Sequence, residues 1–287
     1  MNDSTSAAAT QLLLAHFAEI KGNSEYQLSL VRDLCVQLGQ IEIAMRGGPA
    51  GLETCMAQVF SQGCEDGCLA HIFNKIGERS SRFIEIGVGD GRENTTRLLL
   101  TLGWKGVWVE GDPVEVAKLK VNFADYISAG RLRVVNATVT AENVESLIEP
   151  DDRNVDLLSI DIDMNTYHIW EALRNVQARV VCIEYNASFP PTVDFVVPYE
   201  PDSSWNRTNW FGASLTALDR LARSKRMSLV GCDFFGINAY FVADGEASAA
   251  FDGPFTPTRM YQPARYNLLS RRGHPPASPL IASMSPR

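Results

Sequence analysis

Seven short apolar segments, each suited to one β-strand, recur between residues 82 and 244 of this 287-residue chain. Helical segments separate the first six, whereas only FFGI (residues 234–237) separates the last two. Strands rich in Val, Ile and Leu that alternate with helices are typical of a parallel sheet covered on both faces. The last two strands are close enough in sequence to pair antiparallel. The sequence therefore predicts an α/β, Rossmann-like fold with a seven-stranded, mostly parallel sheet.

The segments that flank this region have a different character. Residues 10–43 carry apolar residues at helical spacing, and KGNSE (residues 21–25) predicts a break between two helices. Residues 244–287 are rich in Pro, Ser and Arg, which is typical of irregular structure. We therefore predict an N-terminal helical extension at 1–58, the sheet domain at 59–245, and an irregular tail packed on that domain at 246–287.

Composition and charge exclude several classes of partner. The net charge of −8 and the sequence pI of about 5.1 argue against nucleic acid, because an acidic surface repels phosphates. Six cysteines do not form a dense disulfide scaffold in a chain of this length. The N-terminus has an acid where a signal peptide needs basic residues, and no segment approaches the roughly 20 apolar residues of a membrane helix. These features predict a reduced, cytoplasmic protein without a membrane partner.

The first strand runs into a glycine loop, FIEIGVGDGREN (residues 83–94). Gly87, Gly89 and Gly91 lack β-carbons where ligands bind in such sheets, so the backbone can turn sharply and approach a ligand. Glu85 would repel a pyrophosphate but suits a ligand with ammonium and sulfonium groups. Glu110, at the end of the second strand, can accept both hydroxyls of a ribose. These features fit S-adenosylmethionine as the cofactor; the alternative is a glycine turn that serves packing only.

Several segments resemble one enzyme family. FSQGCEDGCLAHIF, FIEIGVGDGRENTTRLLL, GWKGVWVEGDP and DLLSIDIDMNTYHIWEAL are similar to the FkbM-like branch of the class I S-adenosylmethionine-dependent methyltransferases. The resemblance implies that Gln62 and Glu65 approach the cofactor and that Asn136 and Ala137 lie near its adenine. It also places the methionine end of the cofactor at Glu85, Gly87, Gly89 and Gly91, and the ribose at Glu110.

The chain departs from the family pattern in one segment that bears on catalysis. Relatives often read DIDGND where this chain reads DIDMNT, so Met164 and Thr166 replace a glycine and an acid. This departure weakens the transfer of catalytic roles from the family.

Oxygen-bearing side chains follow strands four and five. Asp161 and Asp163 end the fourth strand, and Glu184 and Asn186 end the fifth, each pair on one side by the strand period of two. Such oxygens suit Mg²⁺ or Mn²⁺, which would bind an acceptor hydroxyl and lower its pKa. The arrangement resembles that of metal-dependent O-methyltransferases. In the alternative, Asp161 contacts cofactor or substrate directly, while Glu184 and Asn186 hydrogen-bond nearby loops.

Two further features point to the same region. His168, just past the fourth strand, is a candidate general base, and the alternative is a histidine packed at a helix start. Residues 188–214 form a long loop with Trp205 and Trp210, which predicts a lid over the acceptor rather than a surface excursion.

The spacing of Cys64, Cys68 and His71 is roughly that of an iron–sulfur loop. The third residue is a histidine and the segment has helical character, so we expect buried or half-buried thiols there.

The sequence as a whole predicts a methyltransferase that acts on a hydroxyl or carboxyl oxygen of a small biosynthetic metabolite. Asp163 would position this acceptor and His168 would take its proton. An N-methyltransferase, an NAD-dependent oxidoreductase and a non-catalytic ligand-binding protein of the same fold are the alternatives. The N-terminal helices are candidates for a homodimer contact.

Overall fold

The computed structural model describes residues 3–45, 51–205 and 207–268. They belong to two compact units, one of residues 3–45 with 267–268 and one of residues 51–266. The first unit consists mainly of helix α1 (Asp3–Met45). The second contains the sheet and every pocket discussed below.

Helix α1 runs without interruption through the segment where the sequence predicted a break. Gly22 lies in its interior, and one such glycine costs only about 1 kcal/mol relative to Ala. Lys21 and Glu25 form an ion pair across it, with 3.7 Å between Nζ and Oε1. The prediction of two helices is therefore wrong, because one weak position does not break a helix of 43 residues.

The second unit alternates strands with helices. The strands are β1 (Arg82–Ile86), β2 (Lys105–Glu110), β3 (Leu132–Asn136), β4 (Asn154–Ile160), β5 (Gln177–Glu184), β6 (Met227–Cys232) and β7 (Asn238–Ala243). The helices are α2 (Glu65–Ile76), α3 (Arg97–Thr101), α4 (Pro113–Asn122), α5 (Ala124–Ser128), α6 (Val144–Leu147), α7 (Thr166–Ala172), α8 (Leu215–Ser224), α9 (Asp244–Ala250) and α10 (Pro257–Met260). Turns of 3₁₀-helix lie at Leu52–Thr54, Pro150–Asp152 and Tyr266–Leu268.

The strand order is β3-β2-β1-β4-β5-β7-β6. Strands β1 to β5 are parallel, and β7 pairs antiparallel with both β5 and β6. The predicted seven-stranded, mostly parallel sheet with an antiparallel edge is thus confirmed. The order reverses between β1 and β4, where Ile86 is paired with Ile160. Open α/β sheets bind their ligands at such a switch point, beyond the carboxyl ends of the strands.

Helices on both faces bury the strands. In β4, every residue from Val155 to Ile160 is buried, and Ile84, Val107 and Val181 of neighbouring strands are at most 1% exposed. At the start of α8, Ser214 caps the helix by accepting a hydrogen bond from Ala217 N. The core thus holds the strand ends that form the site in fixed positions.

The sheet unit extends beyond the predicted boundaries at 58/59 and 245/246. Leu52 is buried against β6, where a Cβ on Gly231 would lie 2.9 Å from its Cγ. At the other end, Tyr185 Oη donates to Gln262 O at 2.6 Å, and Tyr261 Oη donates to Ala187 O at 2.6 Å. Residues 246–266 contain the end of α9 and the whole of α10 with irregular segments between and after them, and residues 269–287 lie outside the described residues.

In the part of the chain that is described, no helix combines the length and the apolar character needed to cross a bilayer.

Candidate functional site

Two glycines of the loop after β1 are required by close packing. A Cβ on Gly87 would lie 1.9 Å from Asp161 O, at the point where β1 and β4 end side by side. A Cβ on Gly91 would lie 2.6 Å from Leu119 of α4 and 2.7 Å from Phe123. Both glycines have positive φ, +86° and +74°. They let the loop pack against the next strand and helix.

Gly89 differs, because no atom lies within 4 Å of the position of its missing Cβ. Its φ is +56°, and its N–H donates to Glu110 Oε2 at 2.7 Å. Gly89 lines two cavities that meet at the loop, which we call the inner and the outer cavity. At this glycine, therefore, the bare backbone faces open space rather than protein.

Glu85 is buried and accepts hydrogen bonds from the segment that follows the loop. Its carboxylate accepts from Asn94 Nδ2 at 2.7 Å, Thr95 N at 2.8 Å and Thr96 N at 3.1 Å, and from the Thr96 hydroxyl. Burial raises the pKa of Glu85 to about 7, although these bonds favour the charged form. Glu85 thus fixes the shape of the loop and lines the inner cavity as well.

The inner cavity has a volume of about 270 Å³ and an acidic lining. Its charged lining residues are Glu65, Glu85, Asp90, Glu93 and Asp161, and Gln62 also lines it. Glu65 accepts from Gly63 N and from Asn238 Nδ2, and burial followed by the charge of Asp233 raises its pKa to about 7. Gln62 and Glu65 therefore line the same cavity as Glu85, and their contact with a cofactor stays a prediction.

Asn94, at the wall of the inner cavity, carries an acceptor without a partner. The residue is 5% exposed, and its Nδ2 is used by Glu85. Its Oδ1 has no hydrogen-bond partner among the described residues. A buried amide oxygen left unpaired costs about 1–3 kcal/mol, so a ligand with an N–H donor would gain by reaching it. Sequence reasoning missed Asn94, for which the polar run after the glycines was the only signal.

The outer cavity, of about 470 Å³, lies on the other side of Gly89. Glu110 lines it from the tip of β2, and Ala137 and Thr138 from the end of β3. Asn136 is not among its lining residues, because its Nδ2 donates to Glu110 O and Gly111 O and braces the strand ends instead. Of the two residues predicted near adenine, Ala137 lines the cavity, whereas Asn136 bonds to the backbone of Glu110 and Gly111.

Asp161 and Asp163 line the outer cavity, and Asp161 also lines the inner one. Asp161 is open to the crevice, but crowding by protein atoms and then repulsion from Asp163 raise its pKa to about 6. Burial, followed by repulsion from Asp161 and Asp163, raises the pKa of half-buried Glu184 well above its usual range. Three of the four predicted metal ligands, Asp161, Asp163 and Glu184, thus lie close enough for their charges to repel one another.

The fourth residue, Asn186, holds a loop. Its Nδ2 donates to Asn209 O at 2.8 Å and Phe211 O at 2.9 Å, and its Oδ1 accepts from Ser188 N at 3.1 Å. In the described residues, no three His, Cys, Asp or Glu side chains converge so as to hold a metal ion. The donor set therefore does not fit a metal in this structure, and Asn186 has the loop-bonding role of the alternative.

His168 lies away from both cavities. It faces a separate groove with Glu142, Tyr199 and Lys225, and its Nε2 is 2.8 Å from Val197 O. Helix α7 begins at Thr166 and turns His168 away from Asp163. The structure therefore does not bring the predicted base to the acceptor side of the crevice, and His168 packs at a helix start.

The loop of residues 188–214 contributes to the outer cavity. Pro201, Ser203 and Ser204 line it, and Asn165 Nδ2 donates to Glu200 O at 2.8 Å. Phe211 of the loop is buried in a cluster with Met164, which lines the outer cavity, and the rings of Phe189 and Phe195 stack at 4.3 Å. Trp205 and Trp210 are 45% and 47% exposed. Part of the predicted lid thus borders the crevice, whereas its tryptophans face solvent.

The six cysteines are free thiols, and Cys64 and Cys68 are buried. Cys68 Sγ lies 3.5 Å from Leu52 O. The prediction of buried or half-buried thiols in the segment of residues 64–71 is therefore confirmed.

Comparison with known proteins does not show the family of this chain. No protein-family model and no curated protein matches the chain. Solved structures with a similar fold include the pyocyanin biosynthetic protein PhzM, with 12% identity, 60% of this chain and 53% of that chain covered, and a TM-score of 0.38. Another is an S-adenosylmethionine-dependent methyltransferase from Clostridium acetobutylicum, with 9% identity, coverage of 61% and 89%, and a TM-score of 0.40. A third is spermidine synthase from Thermotoga maritima, with 17% identity, coverage of 70% and 72%, and a TM-score of 0.37.

These neighbours have different named activities, and the chain spans about half the length of PhzM. Their TM-scores are below 0.5 and their identities below 20%, so they say nothing about the activity of this chain. The strand order carries the fold class, and the FkbM-like branch stays a prediction.

Proposed function

We propose that the crevice binds S-adenosylmethionine and that the protein transfers its methyl group to a small acceptor. The observation that carries the proposal is the charge of the crevice at the switch point of the sheet. The described residues that line the inner and outer cavities include Glu65, Glu85, Glu110, Asp161 and Asp163, but no Lys, Arg or His. Such a lining attracts a cation and repels a diphosphate, which disfavours NAD and other dinucleotides.

The residues present fit the cofactor. The acids of the inner cavity and the unpartnered Asn94 Oδ1 would hold the ammonium and face the sulfonium. Glu110, at the tip of β2, would accept the ribose hydroxyls, and Ala137 would border the adenine. When bound, S-adenosylmethionine supplies an electrophilic methyl group. Gly89 leaves room for it because no side chain occupies that side of the loop.

The chain's own residues would orient the acceptor and remove its proton. Asp163 lines the outer cavity and is open to it, so it would position the acceptor in line with the methyl group. A carboxyl with a pKa of about 6 accepts a proton near neutral pH, so Asp161 replaces His168 as the proposed base. Residues 201–204 would limit the access of water to this side.

Oxygen methylation of a small biosynthetic metabolite is the first candidate reaction. The acidic lining also favours a second, N-methylation of an amine, because Asp161 and Asp163 attract an ammonium without any metal and Asp161 can take the proton that the ammonium loses before its nitrogen attacks the methyl group. Formation of S-adenosylhomocysteine with hydroxyl, carboxyl and amine acceptors, with and without EDTA, separates the two. Turnover of amines supports N-methylation, whereas turnover of hydroxyl or carboxyl acceptors supports O-methylation. Turnover that EDTA does not change agrees with a donor set that does not fit a metal, whereas Mg²⁺-dependent turnover of hydroxyl acceptors would mean that a metal assists. In either case, Asp163→Ala should abolish turnover and spare cofactor binding.

Calorimetric titration tests the cofactor directly. We expect saturable heat with S-adenosylmethionine and none with NAD, and a dissociation constant roughly 10- to 100-fold higher in Glu110→Gln, which loses one acceptor oxygen. Glu149→Gln, in which a side chain 64% exposed is changed, is the matched control and should bind as the wild type does. Absence of saturable heat, or equal affinity in Glu110→Gln, would contradict the proposal.

A further inference from the structure

Helix α1 presents a long exposed apolar stripe. Its exposed apolar side chains include Ile20, Leu28, Leu30, Val31, Leu34, Leu38, Ile41 and Met45, each with between 49% and 82% of its surface exposed. Single exposed apolar residues are normal on a soluble protein. A contiguous stripe of this length marks an interaction surface.

Most of the stripe follows a heptad repeat. Spacings of four and three residues alternate without interruption from position 20 to position 45. The positions in this register are Ile20, Ser24, Gln27, Val31, Leu34, Leu38, Ile41 and Met45. This alternation defines the seam of a left-handed coiled coil, whereas a helix packed on a sheet shows a wider stripe with a period near 3.6.

The length of the seam points to the kind of partner. Positions 20–45 extend over about 38 Å of helix. No helix described within residues 51–268 exceeds the 12 residues of α2, so none of them offers a seam of equal length. A second copy of α1 offers the same repeat over the same length. Two such stripes would bury on the order of 1,000 Å², about the area that a specific interface needs.

Polar residues interrupt the seam at one place. Ser24 and Gln27 occupy two successive seam positions, and a polar residue in a seam fixes its register at some cost in stability. Leu28 and Leu30 flank the seam beside them and widen the apolar surface there.

We propose that the protein forms a homodimer through a two-stranded coiled coil of α1 helices.

Light scattering and sedimentation on the full chain test the dimer. We expect a mass of twice the 31.6 kDa of one chain. Leu34→Glu places two carboxylates against each other across the seam and should raise the dimer dissociation constant about 100-fold or more. Tyr26→Glu is the matched control, because Tyr26 is 65% exposed but outside the register, and it should leave the dimer intact.

A gain-of-affinity variant keeps the test valid if Leu34→Glu fails to fold. Ser24→Val combined with Gln27→Leu completes the apolar seam and should lower the dissociation constant about 10-fold or more. A wild-type protein that is monomeric at all concentrations up to about 1 mM would overturn the proposal. So would a dimer that Leu34→Glu does not weaken, or one that Tyr26→Glu weakens equally.

Discussion

At the scale of single residues, the three glycines of the loop have three different tasks. Gly87 lets β1 pass the end of β4, and Gly91 lets the loop pack on α4. Gly87 and Gly89 both line the two cavities, but only at Gly89 is the position of the missing Cβ open. Packing therefore accounts for Gly87 and Gly91, whereas the proposed ligand would account for Gly89.

Replacement of Gly89 by Ala should lower the affinity for S-adenosylmethionine about 10-fold or more, because the new methyl group enters the space of the ligand. The matched control is Gly130→Ala, with φ +65° against +56° and likewise no atom within 4 Å of the Cβ position. Both variants should lose about 1–2 kcal/mol of stability from backbone strain. Titration calorimetry and urea unfolding separate the two effects. Equal affinities of the two variants would refute the assignment of Gly89 to the ligand.

The sequence showed which residue types meet at the crevice but not how each is used. Glu85 and Glu110 are at the strand ends where the pattern placed them. The bonds that engage Glu85 come from Asn94 and Thr96, and the pattern of strands and glycines does not predict the path of that segment. Asn94 was missed for the same reason.

At the scale of elements, one buried amide helps to hold the loop after β5, together with backbone hydrogen bonds such as those of the Val196–Ala213 bridge. Asn186 is fully buried and bonds to Ser188, Asn209 and Phe211, so it joins the two ends of the loop. Removal of this side chain would leave its three backbone partners without a hydrogen bond inside the protein, and each unpaired buried group lowers the stability of the fold.

Asn186→Ala should therefore lower the free energy of unfolding by about 2–3 kcal/mol, which corresponds to a melting temperature lower by several degrees. It should also make residues 188–214 more sensitive to limited proteolysis. The exposed Asn175, whose amide bonds to Glu145, is a control for loss of a surface amide and should cost less than about 1 kcal/mol as Asn175→Ala. EDTA should not change the melting temperature of either variant. A wild type that EDTA destabilises as much as Asn186→Ala does would instead assign Asn186 to a metal.

Strands and helices were predictable from the sequence where a pattern of apolar residues repeats along the chain. Single local signals, such as one polar segment or one histidine, were less reliable. The alternation of strands and helices gave the sheet and its antiparallel edge. The break in α1 was predicted from KGNSE (residues 21–25), and such a local signal does not show how much helix lies on either side. His168 was predicted at the site because it follows Asp163 closely in sequence. It is the third residue of α7, however, and the helix directs its side chain into a separate groove.

At the scale of the whole molecule, buried acids make stability depend on pH. Burial raises the pKa of Glu65 and Glu85 to about 7, from ordinary values of 4.5. The folded protein therefore holds more protons than the unfolded chain between about pH 4.5 and 7. The stabilisation from these protons is complete below pH 4.5 and is lost as the pH rises through 7.

Glu65→Gln imitates the protonated acid and should not lose this stabilisation. The stability of the variant relative to the wild type should rise by roughly 3 kcal/mol from pH 4.5 to pH 8. Urea unfolding at a series of pH values measures this difference, and Glu149→Gln at the surface should show no such trend. A difference that is constant with pH would mean that Glu65 has an ordinary pKa in the folded protein.

A crystal structure of the protein with S-adenosylhomocysteine shows whether the crevice holds the cofactor. We expect ribose hydroxyls on the carboxylate of Glu110, the amino group within hydrogen-bond distance of Asn94 Oδ1, and the adenine beside Ala137. Electron density for the ligand in the groove at His168, or a Glu110 carboxylate that makes no contact with the ribose, would contradict the proposal.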